Sequence, residues 1–209
     1  ERVEYIKPTK DFKTTLGFKF DEAFDLIARE VKNVQENVGL CEVNGFNRIE
    51  ITGSDRHNFL DRIFCGNIKK QTGKVGLGYF LNHHGMLKGE ATIANLPESD
   101  RGPARVWYGS AAASEYHDMD WLRQHLNPVE DVQLKSLTND LTILVLAGPN
   151  ARKVLSACSR GDWSKDAFPW LSLRECFIGI APATVMGVSF SGELAYEIHI
   201  PNASLYAAY

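Results

Sequence analysis

Cysteine is scarce and scattered. Only Cys41, Cys65, Cys158 and Cys176 occur, with no C-x-x-C pair. That spacing argues against a zinc site or a disulfide framework. Lying at otherwise apolar positions, the four are expected to be buried free thiols in a reducing compartment, either a bacterial cytoplasm or a mitochondrial matrix. Long apolar runs are also missing. The longest are stretches such as Leu141–Ala147, far short of the roughly 20 residues a membrane helix needs, so no membrane association is expected. The formal net charge is only -3, which provides no field to draw nucleic acid. The chain has no G-x-G-x-x-G and no P-loop, so it is not expected to bind a dinucleotide or a nucleoside triphosphate itself. It has no G-x-S-x-G for a hydrolase of that kind. No secretory or transit signal stands at Glu1, and there is no initiator Met. The chain is therefore read as a fragment or a processed product.

What is present is an ordinary globular composition over 209 residues, 44% hydrophobic and 23% charged. That length supports one large or two small domains with a real core. The first twenty residues show no periodicity and read as an extended lead-in. From Asp21 a helical pattern carries Phe24, Ile27, Ala28, Val31, Val34 and Val38 on one face. Asp21 and Glu22 suit its N-terminus, and the helix should end near Gly39. Strands follow at 40–43 and 48–52, joined by Asn44-Gly45 as a hairpin. Ser54 is placed to cap a helix with Phe59, Leu60, Ile63 and Phe64 inward. Residues 77–82 and 87–95 read as strands around His83-His84-Gly85, with another strand at 105–108. Ser114 is placed to cap a helix carrying Met119, Leu122 and Leu126.

Residues 132–137 and 141–147 read as strands flanking Asn139-Asp140. Pro149 opens a helix that runs through Cys158. Further strands are expected at 177–180, 184–190 and 196–200, with a last helix capped by Asn202. Hairpins are frequent and helices short, so the fold class is α+β with mostly antiparallel sheets.

Three segments carry chemistry. In Leu81-Asn82-His83-His84-Gly85-Met86-Leu87-Lys88-Gly89-Glu90-Ala91-Thr92-Ile93, Glu90 sits within a strand pattern. A carboxylate there is either solvated or held against a ligand, and the residues alone leave both open. Gly89 beside it removes a side chain, which would let a flat ligand approach. In Leu146-Ala147-Gly148-Pro149-Asn150-Ala151 a strand opens into a helix. Its free amides would suit an anion, or the turn merely packs helix on sheet. In Ser189-Phe190-Ser191-Gly192-Glu193-Leu194-Ala195-Tyr196-Glu197-Ile198, alternation puts Tyr196 and Ile198 on one face and Glu197 and His199 on the other. A carboxylate on a sheet face can take two hydrogen bonds from a ring amine and the adjacent N–H, or it simply faces a lysine. His83 and His84 with Glu90 make a poor metal set, since no third ligand is evident.

In this order and spacing, the three segments resemble the glycine-cleavage T-protein family, the tetrahydrofolate-dependent aminomethyltransferases. The likeness begins near Val38-Gly39-Leu40. The stretch Tyr108-Gly109-Ser110 through His117-Asp118 and Trp121, the run from Ala147 to Leu155, and Gly192-Glu193-Leu194 look like the dimethylglycine and sarcosine dehydrogenase branch. The resemblance implies a lead-in and helix over 1–38 and a folate-binding domain over 39–209. It implies a fold that continues in relatives into a C-terminal barrel, and an FAD-containing half N-terminal to the folate half.

It also implies a reaction. The flavin part of the parent chain oxidises an N-methyl amine donor. Its one-carbon unit is captured by tetrahydrofolate to give 5,10-methylene-tetrahydrofolate. By position Glu90 falls where the family sets an acid against the folate N10, and so is the catalytic candidate. Glu197 falls where the family binds the pterin. Tyr196, Leu77, Gly89 and Ala111 complete the expected cofactor-binding set, with no metal. Leu77 replaces a common folate-facing Tyr, Gly187 an Arg, Phe190 a Tyr and Ala195 a Gly. The departures at Leu77, Gly187 and Ala195 keep in view a non-catalytic folate-binding or scaffold domain, and a tetrahydrofolate-dependent demethylase acting on a sulfonium or similar donor is a further alternative. The fragment alone is expected to lack dehydrogenase activity.

Overall fold

The computed structural model describes residues 18, 23–66 and 68–209. The lead-in other than Phe18, together with Asp21 and Glu22, lies outside the described residues. Helix α1 (Ala23–Glu36) comes first, then strands β1 (Gly39–Glu42) and β2 (Ile49–Thr52), and helix α2 (Arg56–Ile63). A hairpin of β3 (Val75–Leu81) and β4 (Leu87–Leu96) leads to β5 (Arg105–Gly109) and α3 (Glu115–Gln124). The second half holds β6 (Gln133–Ser136), β7 (Leu141–Ala147), α4 (Ala151–Cys158), β8 (Leu173–Ile178), β9 (Ala181–Met186), β10 (Ala195–Pro201) and α5 (Leu205–Ala208).

The strands form two five-stranded sheets, ordered β3-β4-β5-β2-β6 and β1-β7-β10-β9-β8. Every pairing is antiparallel. The fold class is thus α+β, as the alternation and short helices imply. Each sheet buries one face under helices. Ile49, Ile51, Ile93, Val106 and Tyr108 of the first pack with Phe59, Leu60, Met119, Trp121 and Leu122 of α2 and α3. Leu144, Leu146, Val185, Tyr196, Ile198 and Ile200 of the second pack with Ala151 and Leu155 of α4. The other two faces meet each other through Val75, Ala94, Leu96 and Trp107 on one side and Leu173 and Met186 on the other, with Leu137. Three layers of side chains therefore stack from period-two alternation alone.

Several local expectations are corrected. Residues 40–43 and 48–52 do not form a hairpin: β1 pairs with β7, whereas β2 pairs with β5 and β6. Neither Asn44 nor Gly45 has the positive φ a two-residue hairpin turn requires. Instead Asn44 Oδ1 accepts from Ile143 N at 3.1 Å and steers the chain from one sheet to the other. In the same way β6 and β7 flank Asn139-Asp140 but belong to different sheets. The strand expected to reach residue 190 stops at Met186, and the one expected at 177–180 begins at Leu173.

Ser54 is not a helix cap. Its amide and hydroxyl bind Asp131 Oδ2 at 2.8 and 2.9 Å, and Asp55 occupies the cap position. Ser114 holds its cap position without a side-chain bond, and the last helix begins after a 3-10 turn over Asn202–Ser204 rather than at an Asn202 cap. Helix α1 keeps Phe24 and Val31 exposed, so its apolar stripe is only partly covered among the described residues. The cysteines are free but not buried: Cys41, Cys65 and Cys158 are exposed and Cys176 is half-buried. Cys41 lies on an edge strand and Cys158 at a helix end, where little covers them.

Candidate functional site

The site lies where the two sheets face each other. In β10, Tyr196, Ile198 and Ile200 point into the helix-covered core, so Glu197 and His199 point the other way, toward the first sheet. In that sheet Glu90, Thr92 and Ala94 of β4 share a face with Tyr79, Leu77 and Val75, their partners on β3. Gly109 and Trp107 of β5 lie opposite Thr92 and Ala94, and Glu50 of β2 lies opposite Trp107. One face therefore runs from the buried Trp107–Ala94–Val75 region outward through Gly109, Thr92 and Leu77 to Glu90. Leu77 is 55% exposed and Glu90 is exposed, so this end of the face is open.

Arg48, just before β2, bridges the sheets. Its side chain is only 6% exposed. Nη2 donates to Glu197 Oε2 at 3.2 Å, Nε to His199 Nδ1 at 3.3 Å, and Nη1 to Asn47 O at 2.9 Å. His199 Nε2 lies 3.1 Å from the same Glu197 Oε2. The pattern assigns the tautomer: Nδ1 accepts from the guanidinium, so Nε2 carries the hydrogen and donates to the carboxylate. Both bonds meet on Oε2. Glu197 Oε1 has no hydrogen-bond partner among the described residues, and the side chain is 21% exposed.

The electrostatics agree with this bonding. Burial pushes the Glu197 carboxyl up, but the His199 hydrogen bond, with the His199 and Arg48 charges, holds it below its usual range. Burial, then the Arg48 charge, drives His199 down to about 4, against the pull of Glu197. His199 is therefore neutral near pH 7, and its effect on Glu197 there is the hydrogen bond rather than a charge. Arg48 is lowered by burial and raised by Glu197. The pair Arg48–Glu197 carries the charge of the site, and His199 orients it.

Two sequence-predicted residues leave the site. Tyr196 packs in the helix-side core, and its hydroxyl accepts from Arg152 Nε at 2.6 Å. Gly89 does not clear space for a ligand. A Cβ there would lie 2.2 Å from the Phe80 ring, on the helix-side face, so the glycine makes room for Phe80. Leu77 and Glu90 stay on the open inner face, and no hydrogen bond or ion pair engages Glu90 among the described residues. Ala111 is exposed just past β5, and its carbonyl accepts from Asn47 Nδ2 at 3.1 Å, close in sequence to Arg48.

The turn at Gly148 packs helix on sheet. Asn150 N is taken by Asn37 O at 3.0 Å, and Gly148 sits at φ 122 with no space for a Cβ. His83 and His84 lie in the β3–β4 turn, not in a strand, and among the described residues no group of three potential ligands gathers. Arg48, Gly109 and Trp107 were not singled out as site residues from the sequence, and His199 was placed on the Glu197 face without a role. The one available signal was Glu197-x-His199 on a single strand face, because partners from another sheet leave no local spacing.

Clefts of about 400 and 350 Å3 open elsewhere. The second, lined by Trp170, Ser189, Gly192, Glu193 and Leu194, adjoins the start of β10, and Glu193 Oε2 is buried there without a hydrogen-bond partner.

The sequence model of the GCVT N-terminal domain matches residues 3–209. Sarcosine oxidase subunit alpha of Rhizobium meliloti (strain 1021) is 36% identical over 181 residues, covering 84% of this chain and 18% of that protein. Mitochondrial dimethylglycine dehydrogenase of Homo sapiens is 28% identical over 206 residues, covering 98% of this chain and 23% of that protein. The chain thus spans 18% and 23% of the length of these two relatives. Among solved structures, glycine cleavage system aminomethyltransferase T from Bartonella henselae superposes with a TM-score of 0.69 at 19% identity, over 86% of this chain and 47% of that one. Heterotetrameric sarcosine oxidase from Corynebacterium sp. U-96 superposes with a TM-score of 0.62 at 18% identity, over 92% of this chain and 91% of that one. At those identities the superpositions establish the fold.

Proposed function

Since the chain belongs to the GCVT N-terminal domain family, we propose that it holds tetrahydrofolate and passes to it a one-carbon unit. The donor is an N-methyl amine of the dimethylglycine or sarcosine class, oxidised by an FAD-containing part of the same parent protein, and the product is 5,10-methylene-tetrahydrofolate. The observation that carries this reading is the Glu197 carboxylate. One oxygen is fixed by Arg48 and His199, and the other is free on a partly open face.

The residues fit the group. A reduced pterin presents N–H donors along one edge, and a charged acceptor with an unused oxygen suits them. When bound, tetrahydrofolate supplies the two amine nitrogens that share the one-carbon unit. Glu197 accepts from the pterin edge and fixes its orientation. Leu77 offers an apolar surface on the other sheet, on the face that carries Glu90. Glu90 serves as hydrogen-bond acceptor and proton relay toward the second amine. Holding the reacting atoms in one arrangement accounts for much of the rate advantage.

Titrating the full-length protein with tetrahydrofolate tests the reading. Glu197→Gln should weaken binding about ten- to a hundredfold, the range of a charge-assisted hydrogen bond. Wild-type protein that does not bind tetrahydrofolate at millimolar concentration overturns it. Glu90, exposed and without a hydrogen-bond partner among the described residues, also supports a second reading, folate binding without catalysis. If Glu90→Ala leaves methylene transfer intact, that reading replaces the first.

A further inference from the structure

We propose that Arg48 is a positioning residue for the ligand-facing carboxylate, admitted to the site by the missing side chain at Gly109. It pins Oε2 of Glu197 so that Oε1 is the atom offered to a ligand. This rests on the reading of Glu197 as the pterin-binding group.

The geometry leaves the guanidinium little freedom. Each of its three nitrogens has a separate acceptor: Asn47 O, His199 Nδ1 and Glu197 Oε2. A lysine has one nitrogen and cannot reproduce that planar fork. The backbone around Arg48 is held as well. Arg48 N donates to Thr138 Oγ1 at 3.0 Å, and its carbonyl accepts from Leu137 N at 2.7 Å. Asn47 exchanges bonds with Ser110 at 2.8 and 3.0 Å, and Asp118 takes the Ser110 hydroxyl and the Tyr108 hydroxyl. That buried cluster locks the residue before Arg48 to the residue after Gly109.

Gly109 is part of the device. A Cβ there would stand 2.0 Å from Arg48 Nη1 and 3.0 Å from Cζ. A guanidinium free in solvent would swing away from such a methyl group. This one is enclosed and triply bonded, so a methyl group must push it off Glu197.

A purely structural role makes different predictions. Removing one member of a buried ion pair leaves the other charge unpaired and costs stability whatever the pair does for a ligand, so a loss of stability alone does not separate the two roles. If Arg48 only joins the sheets, Arg48→Met should change the thermal midpoint and leave the dissociation constant for tetrahydrofolate unchanged. If it positions Glu197, Arg48→Met should raise that constant about tenfold or more in folded protein. Arg48→Lys should recover only part of the loss. Gly109→Ala should mimic Arg48→Met, and the double variant should bind no worse than either single one, since both disturb the same contact. The pH profile should also move. Without the guanidinium, Glu197 protonates more easily, so binding should fail at a higher pH on the acid side than in wild type.

The experiment is a titration of the full-length protein with tetrahydrofolate from about pH 4 to 9, a range that reaches the acid limb of a carboxylate held low by its partners, with thermal midpoints measured alongside. Wild-type affinity and an unshifted pH profile in Arg48→Met, or additive losses in the double variant, overturn the proposal. If Glu197→Gln binds as wild type does, the reading of Glu197 fails and this proposal fails with it. If Glu197→Gln is weak but Arg48→Met is not, only the positioning role fails.

Discussion

At the scale of single residues, a neutral imidazole in a charged site has a pH signature. His199 falls from an ordinary value of 6.5 to about 4 in the folded chain. Between those values the unfolded chain binds a proton that the folded chain does not. Stability is therefore fully present above about pH 6.5 and is lost as pH falls toward 4. The shift corresponds to roughly 3 kcal/mol. Denaturant melts at pH 7, 6, 5 and 4 should show that decline. His199→Gln, whose amide can still donate to Glu197, should flatten it. An equal decline in the variant assigns the acid sensitivity to other groups. The sequence showed that Glu197 and His199 share a strand face. It could not show Arg48, which lies 149 residues away from Glu197.

At the scale of elements, three glycines do different work that composition alone conceals. Gly89 makes room for Phe80 within the β3–β4 hairpin, so Gly89→Ala should cost about 1–3 kcal/mol by overpacking. Gly53 turns the corner from β2 to α2 at φ 103, where a Cβ would stand 2.0 Å from Asp131 O. Gly53→Ala should cost about 2–4 kcal/mol, since strain and overlap combine. Gly109 concerns binding rather than the corner of a chain. Chemical denaturation of the first two variants against wild type checks both values, and a loss below about 0.5 kcal/mol at Gly53 would mean the corner relaxes freely. Asn44-Gly45 teaches the converse lesson. Its composition is that of a hairpin turn, but side-chain and backbone bonds to Ile143 draw the segment along β7 instead. Tertiary partners outweighed the local preference.

At the scale of the whole molecule, the facing sheets are joined by apolar contact and by buried charge. Arg105 on β5 reaches Glu175 on β8 at 2.6 Å and Glu50 on β2 at 3.2 Å. Trp107 Nε1 donates to the same Glu50 at 3.1 Å, and its ring meets His199 edge-on at 5.7 Å. This belt continues the Arg48–Glu197 pair along the interface between the sheets. Arg105→Met leaves Glu50 and Glu175 without their cation in a poorly hydrated place. It should destabilise the fold by about 3–5 kcal/mol, measured by denaturant unfolding. Pairing it with Glu175→Gln should return part of the loss, whereas an undiminished loss in the double variant would place the damage in packing alone.

Period-two alternation in the sequence determined which residues of each strand are apolar. Helical periodicity determined α2, α3 and α4, and the turn residues determined the β3–β4 hairpin. Those signals reach only a few residues along the chain, and they suffice for the α+β class and for the sidedness of Glu197. The tertiary structure decided which strands pair, which polar faces meet, and which cation enters the space between them. Arg48 reads in sequence as one more basic residue at the start of a strand. It becomes part of a site only because two sheets bury it against Glu197 and His199, and because Gly109 leaves it room.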